Sequence, residues 1–188
     1  QECARLMAEE GVADFRTAKR KAALRMAVAN KGLLPDNREI EQALLDYQRL
    51  FQADRQPQCL RELREVALEA MRFLACFQPK LVGPVLSGTA GPHTPIQLHL
   101  FVDTPKEVAL FLMDQRIPFA TSERRLQMNN GDQACLPVFR FSAGDHDLDL
   151  TVFAPLAERE APRSPVDGRP MRRAGSAEIQ ALLAEDQR

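Results

Sequence analysis

From the start of the chain to about residue 80, apolar residues recur at spacings of three and four, the period of amphipathic helices. The clearest case is residues 58–77, where Leu60, Leu63 and Ala67 begin one apolar stripe. Asp36 is followed three residues later by Glu39, which is the spacing of a capping box at the start of a helix. The pattern therefore predicts four helices, over residues 2–10, 13–29, 36–51 and 58–77.

After residue 80 the apolar runs are short and rich in Val, Phe and Leu, which is typical of strands. Thr104, Pro105 and Glu107 have the spacing of a capped helix start between two of these runs. Residues 155–175 hold four prolines and five arginines with little periodicity, which indicates an extended arm, and Ser176 can cap a last short helix. The predicted strands are residues 81–87, 96–102, 118–128, 137–142 and 146–153, and a turn at residues 143–145 joins the last two.

This order of elements predicts an α+β fold in which an N-terminal helical region packs on a small mixed β-sheet. We divide the chain into a helical region (residues 1–56), an α/β core (residues 57–154) and an Arg- and Pro-rich arm with a C-terminal helix (residues 155–188). At 188 residues the chain is long enough for one sizeable domain, or for a small one with an appendage.

Composition adds little to this prediction. The apolar fraction of 45% and the charged fraction of 27% are ordinary for a globular protein, and no apolar run approaches the roughly 20 residues that span a bilayer. A net charge of −1 provides no global attraction to nucleic acid or to an anionic membrane. The cysteines form no C-x-x-C pair, so we expect a reducing, cytoplasmic protein in which Cys59 and Cys76 are buried thiols of one helix.

Polar residues alternate with apolar residues in two of the predicted strands. Gln97 and His99 share one face of their strand, and Asp147 and Asp149 share one face of a later strand. If the two strands are neighbours with these faces aligned, the four side chains converge on one polar patch, with His93 at its rim. The same alternation is also typical of the solvent-facing side of an antiparallel sheet, so the pattern alone leaves both interpretations open.

Over residues 60–153 the order of helix, strand with Gly-Thr, small-residue turn, strand, helix and later acidic strand resembles the core of the nucleotidyltransferase superfamily. The resemblance implies that Ser87, Gly88 and Thr89 contact the phosphates of a nucleotide. In that family the second strand carries Asp-x-Asp or Asp-x-Glu, which binds divalent metal. The aligned triplet in this chain is Gln97-Leu98-His99.

The departures from the family pattern limit the function that the resemblance implies. Mg²⁺ prefers carboxylate, phosphate and water oxygens, and an amide and an imidazole are poor replacements. We therefore expect a protein that binds a nucleotide or another phosphate ligand, with Gln97 near it and with catalysis weak or lost. If the protein is active, Asp147 and Asp149 would be the metal or base carboxylates, His99 a ligand or acid–base group, and Mg²⁺ the cofactor.

The whole chain also resembles a family of uncharacterised proteobacterial proteins that share stretches similar to AEEGVADFRTAKRKAA, LHLFVDTPKEVALFLMD and SPVDGRPM. Members of that family are sometimes labelled UDP-N-acetylmuramate–alanine ligases. Such a ligase makes an acyl phosphate from ATP and needs a Gly-rich P-loop with Lys and Ser or Thr. The pattern G-x-x-x-x-G-K-[ST] does not occur in this sequence, so the residues do not support the label.

The second predicted helix and the residues after it are basic, and this suggests an alternative function. No acidic residue lies between Arg16 and Lys31. Such a cluster favours contact with a phosphate backbone, in a non-catalytic module that binds nucleic acid or protein, although a solvated face balanced by neighbouring acids has the same pattern. With no Trp and one Tyr, the chain offers little for base stacking. The basic residues of this stretch are Arg16, Lys19, Arg20, Lys21, Arg25 and Lys31.

Overall fold

A computed structural model of the chain describes residues 1–12, 14–26 and 34–185. In these residues seven helices and one five-stranded mixed sheet form an α+β fold, as predicted. The helices are α1 Glu2–Glu10, α2 Phe15–Arg25, α3 Asn37–Phe51, α4 Gln56–Phe73, α5 Pro84–Ser87, α6 Pro105–Asp114 and α7 Ser176–Glu185. The strands are β1 Lys80–Val82, β2 Ile96–Phe101, β3 Ala120–Gln127, β4 Gln133–Ala143 and β5 His146–Phe153. No helix among the described residues is long and apolar enough to cross a membrane.

Two helices begin as their sequences predict. At the start of α3, Asp36 accepts from the backbone N–H of Glu39 at 2.7 Å, and the Glu39 carboxylate accepts from the N–H of Asp36 at 2.8 Å. The same reciprocal capping box joins Thr104 and Glu107 at the start of α6. Both boxes satisfy amide donors that a helix start would otherwise leave without partners.

The sheet has the strand order β1-β2-β5-β4-β3. Only β2 and β5 run parallel, and β1, β4 and β3 pair antiparallel to their neighbours. In the parallel pair Gln97 is the register partner of Asp149, and His99 is the register partner of Thr151. The strands of the predicted polar patch are therefore neighbours, and their polar faces are aligned.

The main core lies on the other face of this sheet. Leu98, Leu100, Leu148 and Leu150 are fully buried there, because alternation turns them away from the polar face. Helices α4, α6 and α7 cover this face with their own apolar stripes. The helix residues that are most buried in this core include Leu63, Met71, Leu74, Val108, Leu112 and Ile179.

Helices α1, α2 and α3 form two smaller apolar clusters of their own, in which α1 packs on both α2 and α3. Leu6 and Ile40 are buried in one cluster and Leu44 in the other. The prediction that this region packs on the sheet therefore differs from the structure, in which α4, α6 and α7 cover the sheet. The apolar stripes of α1 and α2 are short and rich in alanine, and α1 packs on α2 and α3. A contact with the α/β part is the hydrogen bond from Gln48 Nε2 to the Thr89 carbonyl, 3.0 Å.

Three predictions about residues 58–87 need correction. Strand β1 ends at Val82, because Gly83 has φ 73° and ψ −155° and Pro84 starts the short helix α5; residues 81–87 are not one strand. Helix α4 ends at Phe73, and a 3₁₀ turn over Ala75–Phe77 follows it. Cys76 lies on this turn and is exposed, whereas Cys59 on α4 is partly buried.

The arm over residues 155–175 crosses the polar face of the sheet and is bonded at both of its edges. The N–H of Arg163 donates to the carbonyl of Gln127 at the end of β3, 2.7 Å. Leu81 and Ala174 exchange two backbone hydrogen bonds of 2.9 Å beside β1. The chain then enters α7, whose first residue is Ser176, and α7 packs on α4. The predicted helix over residues 13–29 is present as α2, and residues 27–29 and Lys31 lie outside the described residues.

Candidate functional site

The polar patch predicted from β2 and β5 exists, but it is covered rather than open to solvent. His99 and Asp149 are each only 2% exposed, and Gln97 is partly buried. For His99 and Asp149 this excludes the interpretation that the polar residues form the solvent-facing side of an antiparallel sheet. Side chains of β3 and β4 and of the arm cover the patch, and they decide its chemistry.

Asp149 is bound by two arginines. Arg140 lies directly opposite it on β4 and donates from Nε to Oδ1 at 2.6 Å and from Nη2 to Oδ2 at 3.1 Å. Arg124 reaches over from β3 and donates from Nη2 to Oδ2 at 2.7 Å. Burial alone would raise the pKa of Asp149, but the hydrogen bonds and charges of Arg140 and Arg124 outweigh it and hold this pKa below its usual value. Asp149 is therefore a carboxylate whose two oxygens both have partners.

Asp147 does not join Asp149 in a shared site. It is exposed, and it accepts a hydrogen bond on Oδ1 from Ser142 Oγ at 2.7 Å. Its register partner across the β4–β5 pair is also Ser142, so the contact follows directly from strand pairing. The structure thus gives Asp147 a local hydroxyl partner and Asp149 two guanidinium partners.

His99 is held by Arg173 from the arm. Arg173 Nε donates to His99 Nδ1 at 3.0 Å, and the His99 ring packs on Phe153 with the ring centroids 4.5 Å apart. Burial lowers the pKa of His99 well below its usual value, and the charges of Arg173 and Arg124 lower it further. Because Nδ1 accepts a hydrogen bond, the neutral imidazole carries its proton on Nε2. His99 is therefore a buried neutral acceptor.

Arg173 itself is enclosed by the sheet and the arm. Its guanidinium carbon lies 4.9 Å from the ring centroid of Phe101 and 4.8 Å from that of Phe153, within the range of cation–π contacts. Its Nη1 donates to the carbonyls of Ala157 at 2.7 Å and Glu158 at 3.1 Å. Burial lowers the pKa of the Arg173 guanidinium below its usual value, while Glu158 acts in the opposite direction. These contacts fix the arm to the sheet.

The donor set does not suit the Mg²⁺ that an active nucleotidyltransferase would need. Gln97 and His99 stand where the family pattern has carboxylates, and both oxygens of Asp149 already accept from arginines. Asp147 alone cannot supply the bridging carboxylates of a two-metal site. Among the described residues no group of three or more His, Cys, Asp and Glu side chains could hold a metal ion. The structure thus gives Asp147, Asp149 and His99 no metal-binding arrangement.

The Gly88-Thr89 turn does not form the expected phosphate cradle in this conformation. The N–H groups of both Gly88 and Thr89 donate to the carbonyl of Pro84, at 2.9 and 3.0 Å, and that of Ser87 donates to the carbonyl of Gly83 at 3.0 Å. The carbonyls of Gly88 and Thr89 accept from Gln56 and Gln48. The hydroxyl oxygens of Ser87 and Thr89 lie 3.1 Å apart. Because α5 intervenes, the glycine that ends β1 is Gly83.

Gly83, and not Gly88, lies beside the polar patch. A Cβ on Gly83 would lie 2.8 Å from Gln97 Oε1, so the absence of a side chain leaves the room that the Gln97 amide occupies. His93 was predicted at the rim of the patch. It instead packs against Gly11 at the end of α1. A Cβ added to Gly11 would lie 2.8 Å from the Cβ of His93.

The basic face of α2 is only partly neutralised. Lys21 pairs with Glu10 at 3.6 Å, and Arg25 pairs with Glu10 at 2.6 Å and with Glu2 at 3.4 Å, so acids of α1 balance these two cations. The other three cations of α2 have no carboxylate within 4 Å among the described residues. These are Arg16, Lys19 and Arg20, of which the two arginines are exposed.

Sequence reasoning did not find the three arginines that organise the patch. The sequence does single out Arg140 as a candidate for an ion pair, because it is a lone charged residue between Phe139 and Phe141 in the middle of an apolar strand. Arg124 lies next to Arg125 and shows no such contrast, and nothing in the arm sets Arg173 apart from its neighbours. The contacts of Arg124 and Arg173 depend on strand order and on the path of the arm, which local pattern does not encode.

The sheet order places β1, β2 and β5 side by side, with Gln97, His99 and Asp149 on one face and three arginines over them.

We compared the chain with protein-family models, with curated proteins and with solved structures. No family model, no curated protein and no solved structure matches it.

Proposed function

We propose that the chain is a divergent nucleotidyltransferase-like protein that binds a nucleotide or another phosphate-bearing ligand without metal-dependent transfer. The observation that carries the proposal is the pair of guanidinium groups on Asp149. Asp149 stands on β5, the strand next to β2, where the family resemblance implies a third metal-binding carboxylate, and its two arginines reach it from β4 and β3. Two cations beside one buried carboxylate leave a net positive charge at this position.

The arginine pair retains donors for a ligand. The side chain of Arg140 is 53% exposed although it is bonded to Asp149, and its Nη1 makes no contact with Asp149. Arginine forks bind phosphate oxygens through parallel hydrogen bonds, so a phosphate approaching from solvent meets a preformed donor set. In this proposal the guanidinium groups neutralise the phosphate charge that metal ions neutralise in an active transferase.

The order of the elements also supports a nucleotidyltransferase-type scaffold. The strand with the Gln-x-His triplet lies between β1 and the later acidic strand β5, and α4, α5 and α6 alternate with the strands along the chain. The resemblance rests on the same order along the chain, although the short helix α5 separates β1 from Gly88 and Thr89. The substituted triplet and the paired Asp149 favour a scaffold that has kept ligand binding and lost the two-metal chemistry.

Thermal shift and titration with nucleotides test the proposal. We expect ATP, CTP, GTP or UTP to raise the Tm in the absence of divalent metal, and Mg²⁺ not to strengthen the effect. Arg140→Gln should weaken binding about tenfold, because it removes one cation and the Nη1 donor that Asp149 does not use. Arg125→Gln, the matched control on the same strand as Arg124 but on the opposite face, should bind as the unmodified chain does.

Asp149→Asn separates this proposal from metal catalysis. It leaves two guanidinium groups without their carboxylate, so the variant should be less stable and should bind phosphate ligands more tightly. A metal-dependent transferase would lose ligand binding or activity on the same substitution. The proposal fails if no nucleotide stabilises the protein at millimolar concentration, or if binding requires Mg²⁺ and is lost in Asp149→Asn.

A second candidate function rests on α2. The three cations that α1 leaves unpaired, Arg16, Lys19 and Arg20, lie within five residues on one helix, which is the footprint of a contact with a phosphate backbone. In this candidate function the chain is a non-catalytic module that holds nucleic acid through α2. Acids of α1 neutralise Lys21 and Arg25, so these two residues contribute less to the positive face.

Salt-dependent binding to labelled DNA and RNA duplexes tests this second function. The double variant Arg16→Gln with Arg20→Gln should weaken binding and lower the salt slope by roughly 0.9 per lost phosphate contact. Lys106→Gln with Arg125→Gln removes the same charge from exposed positions outside α2 and should change neither quantity. Equal losses in the two double variants would show that only net charge matters, and this would reject α2 as the contact.

A further inference from the structure

A cleft of about 430 Å³ lies between the N-terminal helices and the start of the α/β part, away from the sheet face. Its walls come from α1, from α3, from the turn into α4 and from the loop that precedes β2. The volume is within the range of small-molecule sites in proteins. The lining residues that matter for its chemistry are Glu9, Tyr47, Phe51, Arg55, Gln56 and His93.

One wall of the cleft is aromatic. The rings of Tyr47 and Phe51 lie one helical turn apart on α3, with their centroids 4.8 Å apart and their planes inclined by 38°. Phe51 is 70% exposed, although large aromatic residues usually bury most of their surface. An exposed aromatic ring at the edge of a cleft provides a surface on which a planar ligand can stack.

The cleft is also lined by a cation and by polar side chains. Arg55 precedes α4, it is exposed, and it has no carboxylate within 4 Å among the described residues. Helix α4 has no acidic residue in its first turn, so its dipole adds to the positive potential there. His93 also lines the cleft and packs against Gly11.

The acidic residue that lines the cleft, Glu9, already has hydrogen-bond partners on both carboxylate oxygens. Glu9 Oε1 accepts from the Tyr47 hydroxyl at 2.5 Å, and Glu9 Oε2 accepts from Arg5 Nη1 at 3.3 Å. Glu9 therefore orients the Tyr47 ring, and Arg5 balances its charge. Cys59 also lines the cleft, but burial and the charge of Glu62 raise the pKa of its thiol, so it is a packing group and not a nucleophile.

We propose that this cleft binds a small planar aromatic anion, with its ring against Tyr47 and Phe51 and its anionic group at Arg55. The ring requirement follows from the exposed aromatic wall. The anionic requirement follows from Arg55, a cation without a carboxylate partner among the described residues, in a cleft whose one acid, Glu9, already has partners. The inference does not depend on the proposed function, because the cleft shares no residue with the arginine pair on the sheet.

Binding of 2-naphthoate, a planar ring with one carboxylate, tests the proposal in the full chain. Cyclohexanecarboxylate has the anion without an aromatic ring, and 2-naphthalenemethanol has the ring without the charge. We expect each of these two to bind at least about tenfold more weakly than 2-naphthoate, because each lacks one of the two contacts. Similar affinities for all three, or no binding of 2-naphthoate at millimolar concentration, would overturn the proposal.

Matched variants locate the site. Phe51→Ala and Arg55→Gln should each weaken 2-naphthoate binding about tenfold. Leu50→Ala and Arg49→Gln change neighbouring exposed residues of α3 that do not line the cleft, and they should leave binding unchanged. All four are surface changes that are expected to leave the fold intact, which their thermal unfolding verifies. Binding that survives both Phe51→Ala and Arg55→Gln would place the ligand elsewhere and reject the cleft.

Discussion

Gly83 determines how β1 meets the polar patch. Its backbone, with φ 73° and ψ −155°, lies in a region that residues with a side chain rarely occupy. The missing side chain also leaves room for Gln97, whose Oε1 would lie 2.8 Å from a Cβ at this position. Both the turn into α5 and the placement of the Gln97 amide therefore depend on one glycine.

We predict that Gly83→Ala lowers the free energy of unfolding by about 1–3 kcal/mol, because a side chain strains the backbone in this region and because the Gln97 amide must also move away from the new Cβ. Gly144→Ala is the matched control. Gly144 also has a positive φ, 61°, but a Cβ there meets nothing within 4 Å, so we expect a smaller loss, about 1 kcal/mol. Urea unfolding of the two variants measures the difference. Equal losses would mean that neither the unusual backbone conformation of Gly83 nor the contact with Gln97 costs more than an ordinary positive φ.

At the scale of elements, the local pattern of apolar, polar and capping residues predicted a helix or strand correctly wherever that pattern lay within one segment of the chain. The bounds of α1 and β5 were predicted without error, and the capping boxes at Asp36 and Thr104 are present as expected. Alternation also assigned the polar faces of β2 and β5 from sequence, but it left open whether the two strands are neighbours, which the sheet order shows them to be. Prediction failed over residues 81–87, where an apolar run hid a break at Gly83 and Pro84.

The candidate site was predictable only in part, and for a related reason. Asp149 and His99 could be assigned to one patch from periodicity, but their chemistry depends on residues that strand order and the arm bring to them. Arg124 is 25 residues from Asp149 in sequence, and Arg173 is 74 residues from His99. The family resemblance suggested a metal ligand at Asp149, and Arg140 and Arg124, 9 and 25 residues away along the chain, make it an ion-paired residue instead.

At the scale of the whole molecule, the arm joins the C-terminal helix to the polar face of the sheet. Arg173 is its central contact, with hydrogen bonds to His99 and to two carbonyls of the arm, and with Phe101 and Phe153 beneath it. Lys80 on β1 adds an ion pair with Glu158 at 3.2 Å. Because Nδ1 of His99 must stay unprotonated to accept from Arg173, the closure of the arm is linked to pH.

The stability of the protein should therefore carry a pH dependence that belongs to His99. Burial first, and then the charges of Arg173 and Arg124, lower the pKa of His99 well below 6.5 in the folded state. As the pH falls below about 6.5, the unfolded chain binds a proton at His99 that the folded chain does not, so stability decreases by up to about 1.4 kcal/mol per pH unit. This loss continues until the pH reaches the folded-state pKa, and above about 6.5 the full stability is present.

His99→Asn tests this linkage, because the asparagine side chain can offer an acceptor close to the position of Nδ1 and does not titrate. We expect the free energy of unfolding of the unmodified chain to fall between pH 6.5 and 5.5, and that of the variant to fall less steeply, with urea titrations at each pH as the measurement. Asp149 does not interfere in this range. Its pKa is lowered from 3.8, so its contribution is present above about 3.8 and is lost only as the pH falls further. If the two proteins have the same slope between pH 6.5 and 5.5, His99 is not the group that links the arm to pH. A shallower slope in the variant would assign the acid sensitivity of the closed arm to one buried imidazole.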